Sequence, residues 1–279
     1  MGTLQEYRRF FAEFVVASSG SKDERLINAF AAVPREDYVG PGPWPVFVGS
    51  RYLHTVDADP RSIYQDVLVG LAVERKINNG QPSLHAHCIA AAGLKPGEFV
   101  THVGAGTGYY SAVLATLVGP TGRVVALEVE ADLAAKATEN LRTFRHVQVQ
   151  AANATNVALP ASDLIYVNAG ATHPPPAWLD ALNVGGRLIM PLTPNDGFGV
   201  MLKVTRAHAS AYAATAICRV AFIPCVGARD DATSASLSSA LRRQSLEEVR
   251  SLHRGTAPDA TAWCVGHGWW LSSSPLAAL

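Results

Sequence analysis

Phe99-Val-Thr-His-Val103 runs directly into Gly104-Ala-Gly106-Thr-Gly108-Tyr109-Tyr110, and the fold is decided by this stretch. The first five residues are a short, largely apolar run bounded by glycine, the pattern of a strand buried in a sheet. Residues 109–118 then carry the apolar density of a packed helix. Between them the glycines allow the backbone to approach a ligand closely. Strand, glycine turn and helix in that order form a ligand cradle of the doubly wound kind.

Outward from this cradle the alternation continues. Residues 84–92 predict a helix before it; after it come a strand at Val124-Val-Ala-Leu127, a helix over 131–144, strands at 147–150 and Leu164-Ile-Tyr-Val167, a helix over 176–182 and a strand at Arg187-Leu-Ile-Met190. Strands separated by helices imply a parallel sheet covered on both faces, because right-handed crossovers place the helices there. Past Pro191 the texture changes, and 199–206 and 213–223 read as two strands forming an antiparallel hairpin at the sheet edge. Residues 4–17 and 22–33 predict N-terminal helices, ended by the turn-rich Gly40-Pro-Gly-Pro-Trp-Pro45. At the other end 235–253 reads as helix and Trp263-Cys-Val-Gly-His-Gly-Trp-Trp-Leu271 as a last strand. The fold class is α/β, doubly wound and Rossmann-like, with N-terminal helices and a C-terminal extension. The expected organisation is an N-terminal substrate-side region over 1–80, a core over 81–225 and an extension over 226–279.

Composition narrows the function. Lys plus Arg and Asp plus Glu both total 23 in 279 residues, so no net positive field attracts a phosphate backbone, and nucleic acid is not expected as a partner. No window offers the roughly 18 uncharged apolar residues of a membrane span, and the N-terminus lacks an apolar stretch after its charges. The expectation is a cytoplasmic protein. Cys88, Cys218, Cys225 and Cys264 are scattered without a CxxC pair, which suits reduced thiols and gives no metal site. Asn153-Ala-Thr155 matches a glycosylation acceptor, which is expected to be a chance match since no secretory signal is expected.

The spacing G-x-G-x-G at 104–108 differs from the dinucleotide G-x-G-x-x-G, since Tyr109 stands three beyond Gly106. Twenty positions after Gly108, Glu128 ends the next strand, where doubly wound folds hold ribose hydroxyls with a carboxylate.

From about residue 26 to 192 the chain resembles the protein-L-isoaspartate O-methyltransferases. The resemblance is carried by Leu26-Ile-Asn-Ala-Phe-Ala-Ala-Val-Pro34-Arg35-Glu-Asp-Tyr38-Val39, by Tyr64-Gln-Asp66, and by Ile77-Asn-Asn-Gly80-Gln81-Pro82-Ser-Leu-His85-Ala86. It continues through the glycine turn, Gly122-Arg-Val-Val-Ala-Leu-Glu128, Asp163-Leu-Ile-Tyr-Val-Asn168-Ala-Gly-Ala-Thr-His173-Pro174, Trp178 and Gly185-Gly186-Arg187-Leu-Ile-Met-Pro191. It implies the methyltransferase version of the fold and S-adenosylmethionine as cofactor, held by His102, Gly104, Ala105, Gly106, Gly108, Glu128, Asn153 and Asn168. Gly80, Gln81, Pro82, His85 and His173 would then line the acceptor side. Three departures stand out. Gly80 occupies the place where the family has a Ser or Thr whose hydroxyl helps hold the substrate, leaving Ser83 as a nearby hydroxyl. His102 replaces the family's acidic residue, and Asn153 replaces an Asp, keeping a carbonyl oxygen that can accept from an adenine amino group.

The implied reaction is methylation of an isoaspartyl or related carboxylate in a peptide or protein. A carboxylate, with a pKa of about 4, is ionised at neutral pH and needs no general base. A phenol or amine acceptor would call for one, for which His85, His102 and His173 are the candidates. Two other readings stay open: a methyltransferase for a small natural product or modified peptide, and a non-catalytic cofactor-binding module. Oligomeric state leaves no mark in the sequence.

Overall fold

The computed structural model describes residues 2–276. In chain order it opens with α1 (Leu4–Ser18), whose cap Thr3 accepts from the Glu6 N–H while the Glu6 carboxylate accepts from the Thr3 N–H. α2 (Glu24–Ala32) follows, then the hairpin strands β1 (Pro45–Val48) and β2 (Arg51–His54) and the short strands β3 (Gly70–Ala72) and β4 (Ile77–Asn78). α3 (Pro82–Ala92) starts on a proline, which lacks the N–H a first turn cannot satisfy, and stops at left-handed Gly93. Next come β5 (Phe99–Val103), α4 (Tyr109–Val118), β6 (Arg123–Glu128), α5 (Ala131–Asn140), β7 (Val147–Ala151), β8 (Ser162–Val167), α6 (Pro176–Asp180) and β9 (Leu182–Leu192). The last elements are β10 (Gly199–His208), β11 (Ala211–Val220), α7 (Asp231–Arg243), β12 (Ser251–Arg254), β13 (Ala262–Gly266) and β14 (Trp269–Ser272).

The chain packs as two compact units. The first comprises Met1–Glu98 and Ala105–Ala151. In it β6 and β7 pair in parallel, and β1 with β2 and β3 with β4 form antiparallel pairs. A small core of Val39, Trp44, Ile63 and Val69, with Val46 and Leu71 against it, supports the hairpins. All but one residue of α4 are buried, which explains why its sequence is apolar on every side instead of striped.

The second unit comprises Phe99–Gly104 and Ala152–Leu279. Its strands lie in the order β5, β8, β9, β10, β11, β12, β14, β13. The first three are parallel and every later pairing is antiparallel. Leu164, Ile165, Tyr166 and Val167 are all fully buried, so both faces of β8 are covered, as the unbroken apolar run requires. Trp178, also fully buried, donates its indole N–H to the Ala154 carbonyl, so α6 is anchored by the loop after β7.

The expected strands and helices of the core form, with α5 ending at Asn140 instead of 144 and α6 at Asp180 instead of 182, because Leu182 already pairs in β9. The β10–β11 hairpin forms as well, and β12, β14 and β13 extend the sheet beyond it. Two expectations are corrected in the C-terminal region. The helix read over 235–253 stops at Arg243, and 251–254 is strand because its backbone pairs with β11 and β14. The single strand read over 263–271 is a hairpin, folded back at Gly268, whose φ of +74° suits a residue without a side chain. No helix among the described residues is long and apolar enough to cross a membrane.

Candidate active site

The glycine turn changes unit between Gly104 and Ala105, so each side is described by itself. In the first unit Gly106 and Gly108 have φ of +57° and +97°. A Cβ on Gly108 would lie 2.8 Å from Leu141 Cδ1, and one on Gly106 3.5 Å from Leu71 Cδ1, so the turn is sealed below by α5's end and roofed by the β3–β4 hairpin. Thr107 ties it further: its hydroxyl donates to the Tyr38 carbonyl at 2.5 Å, and its carbonyl accepts from Asn140 Nδ2 at 2.9 Å.

Glu128 closes this side. Its Oε2 accepts from the Gly106 N–H at 2.6 Å and its Oε1 from the Glu130 N–H at 3.0 Å. Burial raises its pKa, against which the two backbone amides pull. A carboxylate held this way keeps one lone pair on each oxygen for a ligand's hydroxyl groups. These features fit the ribose of a nucleoside cofactor.

In the second unit Gly104 has φ of +75°, and a Cβ there would lie 3.5 Å from the Asn168 backbone carbonyl. Asn168 Nδ2 is 2.8 Å from His102 Nε2, while Asn168 Oδ1 is buried without a hydrogen-bond partner. Full burial lowers the pKa of His102 to about 3, so it is a neutral imidazole where the family has a carboxylate. The orphaned Asn168 oxygen is an acceptor suited to the α-ammonium of S-adenosylmethionine. Asn153 holds its carbonyl oxygen differently from the sequence reading, since Oδ1 accepts from both the N–H and the hydroxyl of Thr155, at 3.0 and 2.8 Å. Those two bonds fill the oxygen's lone pairs, so its remaining hydrogen-bonding capacity is that of the amide N–H groups.

Of the residues expected to line the acceptor side, Gly80, Gln81, Pro82 and His85 lie together in the first unit. Gly80 has φ of +75°, and a Cβ on it would sit 2.2 Å from His85 Nε2. The imidazole therefore fills the space that any side chain at residue 80 would need, and a serine hydroxyl cannot be seated there while the ring stays. The ring is stacked on Tyr110, with centroids 3.7 Å apart and planes at 19°, and the Tyr110 hydroxyl donates to the Gly80 carbonyl at 3.4 Å. Ser83 does not replace the missing hydroxyl, because its Oγ and N–H both donate to the Asp66 carboxylate, which also takes Gln81 Nε2. His173 belongs to the second unit; its Nδ1 is 3.2 Å from the Thr172 hydroxyl, and half-burial lowers its pKa, with Asp230 opposing and Arg229 assisting.

Arg35 is the group that sequence reasoning passed over. Fully buried, it donates Nη1 to the carbonyls of Ile63 and Gln65, and Nη2 to the Val67 carbonyl and Asn79 Oδ1. One guanidinium thus fixes both the 63–67 loop and the residue before Gly80. In the sequence it stood only as part of the Pro34-Arg35 step of the family resemblance, with no role attached to it.

The sequence profile of the protein-L-isoaspartate(D-aspartate) O-methyltransferase family matches residues 15–230. The chain is 30% identical over 227 residues to a protein-L-isoaspartate O-methyltransferase of Ignicoccus hospitalis, covering 80% of this chain and 99% of that one. It is 33% identical over 229 residues to protein-L-isoaspartate O-methyltransferase 2 of Marinobacter nauticus, covering 80% and 94%. Its fold is similar to that of a solved protein-L-isoaspartate O-methyltransferase, at a TM-score of 0.67 and 22% identity, over 84% of this chain and 68% of that one. With the profile spanning most of the sequence and these relatives matched along nearly their whole length, the chain belongs to the protein-L-isoaspartate(D-aspartate) O-methyltransferase family, the S-adenosylmethionine-dependent carboxyl methyltransferases.

Proposed function

We propose that this enzyme esterifies the free α-carboxylate of isoaspartyl residues in peptides or proteins, with the glycine turn and Glu128 gripping the cofactor. The observation that carries the cofactor assignment is the Glu128 carboxylate, fixed by the Gly106 and Glu130 amides at the end of β6. S-adenosylmethionine, when bound, supplies a methyl group already activated on a sulfonium. The chain's own work is positioning, which can contribute roughly 7–11 kcal/mol to such a transfer. Glu128 holds the ribose, Gly104, Ala105, Gly106 and Gly108 let the backbone lie close to the nucleoside, Asn153 faces the adenine, and Asn168, oriented by His102, accepts from the ammonium end. Gln81 and Pro82 shape the acceptor loop, while His85 and Tyr110 support Gly80 from beneath.

No proton has to be removed from a carboxylate acceptor. His102 is neutral above about pH 3 and so contributes no titration near neutrality. With the acceptor's own pKa near 4, kcat/KM should stay flat within about twofold from pH 6 to 8.5, and the product should be a base-labile ester that releases methanol. A rate that climbs steadily through this range, with a base-stable product, would point to an amine or phenol acceptor and remove the carboxylate reading. The second reading, a small-molecule or modified-peptide acceptor, is favoured by one feature: the imidazole under Gly80, which gives the acceptor loop a different floor from a family hydroxyl.

A further inference from the structure

The β3–β4 hairpin (residues 70–78) does two things at once in the first unit. It carries Leu71, whose Cδ1 lies over Gly106, and it leads directly into the acceptor loop, where Asn78 Oδ1 accepts from the Gly80 N–H at 2.9 Å. Its tip holds Arg75. The Arg75 guanidinium reaches across to the start of α5, donating Nη1 to the Glu130 carboxylate and to Asp132 Oδ1 at 3.1 Å, and Nη2 to Asp132 Oδ2 at 2.7 Å. Glu130 is the residue whose backbone N–H holds Glu128 Oε1.

We propose that Arg75 is a positioning residue for the cofactor, a latch that keeps the β3–β4 hairpin closed over the glycine turn. The proposal rests on the assignment of the cofactor to that turn. Besides Glu74 on its own hairpin, 3.6 Å from its Nε, Arg75 spans the two carboxylates of Glu130 and Asp132 in fork geometry, which a lysine cannot reproduce because its ammonium is a single point of charge. Both carboxylates lie within four residues of Glu128, so the latch closes at the edge of the proposed ribose site. Opening it frees the roof of the turn, and cofactor exchange requires that roof to lift. Loss of Arg75 also removes the cation that Glu130 and Asp132 share. The closed hairpin is then less populated, and the apparent affinity falls by that fraction.

Arg75 is about one-third exposed, so each ion pair is modest and screened by salt. The effect belongs in binding, with the fold intact. S-adenosylhomocysteine has no net charge, so little of its salt dependence comes from the ligand. The test is calorimetric titration of the full-length protein with S-adenosylhomocysteine at low and high salt, for the wild type, Arg75→Gln and Arg75→Lys. Arg142→Gln, which removes an exposed pair with Glu139 on the far end of α5, serves as control. The dissociation rate of the complex is followed alongside.

At low salt Arg75→Gln should weaken binding about three- to tenfold, through faster dissociation and with an unchanged melting temperature. High salt should weaken the wild type toward the variant and leave the variant nearly unmoved. Arg75→Lys should recover part of the loss, and Arg142→Gln should match the wild type. Equal affinity for wild type and Arg75→Gln at both salt concentrations would overturn the latch while leaving the cofactor site standing. Absence of any binding by the wild type would overturn the cofactor assignment and the latch with it.

Discussion

Replacing Glu128 with alanine should weaken S-adenosylhomocysteine binding at least about 100-fold, with the fold retained. The carboxylate is fixed at the end of β6 by two backbone amides, at 2.6 and 3.0 Å, and both amides lose their acceptor when it goes. Hydrogen bonds to a charged group are worth roughly 1.5–3 kcal/mol each, so two bonds to a ribose diol amount to a factor of about 10²–10⁴ in Kd. The turn itself survives, because Thr107 remains tied to Tyr38 and Asn140. Calorimetry reads the affinity and circular dichroism the fold. Since burial raises the Glu128 pKa, wild-type binding should also decline as pH falls, beginning above the range of an ordinary glutamate. Affinity within threefold of wild type in Glu128→Ala would remove the ribose role.

The largest loss of stability is expected from Arg35→Met. The guanidinium is fully buried and donates to four neutral oxygens: the carbonyls of Ile63, Gln65 and Val67, and Asn79 Oδ1. Burial lowers its pKa, against Tyr110, Tyr109 and Asp66, yet an arginine stays charged under all ordinary conditions. Methionine removes the cost of burying that charge. It also strips four oxygens of a donor, at roughly 1–3 kcal/mol for each that is left unsatisfied, and some of these reach water once the loop loosens. The balance is a destabilisation of about 3–5 kcal/mol, or on the order of 10 °C in melting temperature for a chain of this size. Hydrogen exchange should rise first in 63–67 and 79–82. Arg35→Lys should rescue little, since one ammonium cannot reach four oxygens around a planar fork. A loss below about 1 kcal/mol would show that these loops are held by something else.

Much of the cofactor side was legible because its signals are local. Gly104, Gly106 and Gly108 are left-handed positions that a side chain would strain, and Glu128 falls where β6 ends, so spacing along the chain carried the geometry. The acceptor side was not legible in the same way. Gly80 and His85 meet only because a turn brings the start of α3 back beneath it, and nothing in the five-residue spacing announces an imbalance of volume between them. Arg35 and Arg75 escaped for a related reason. Their partners are backbone carbonyls, which leave no trace in a sequence, or carboxylates more than fifty residues away. At the C-terminus, Leu246, Val249 and Leu252 recur at helical spacing, yet residues 251–254 form β12 because the open edge of β11 supplies backbone partners there. Tertiary pairing outweighed local periodicity.

The measurement closest to the centre of this account is transfer of labelled methyl from S-adenosylmethionine to a synthetic isoaspartyl peptide, set beside its normal aspartyl twin and repeated with Glu128→Ala. The account predicts labelling of the isoaspartyl peptide alone, as a base-labile ester, lost in the Glu128 variant. Equal labelling of both peptides, or none of either while the wild type binds S-adenosylhomocysteine, would contradict it and assign the imidazole-floored acceptor loop to a different carboxylate.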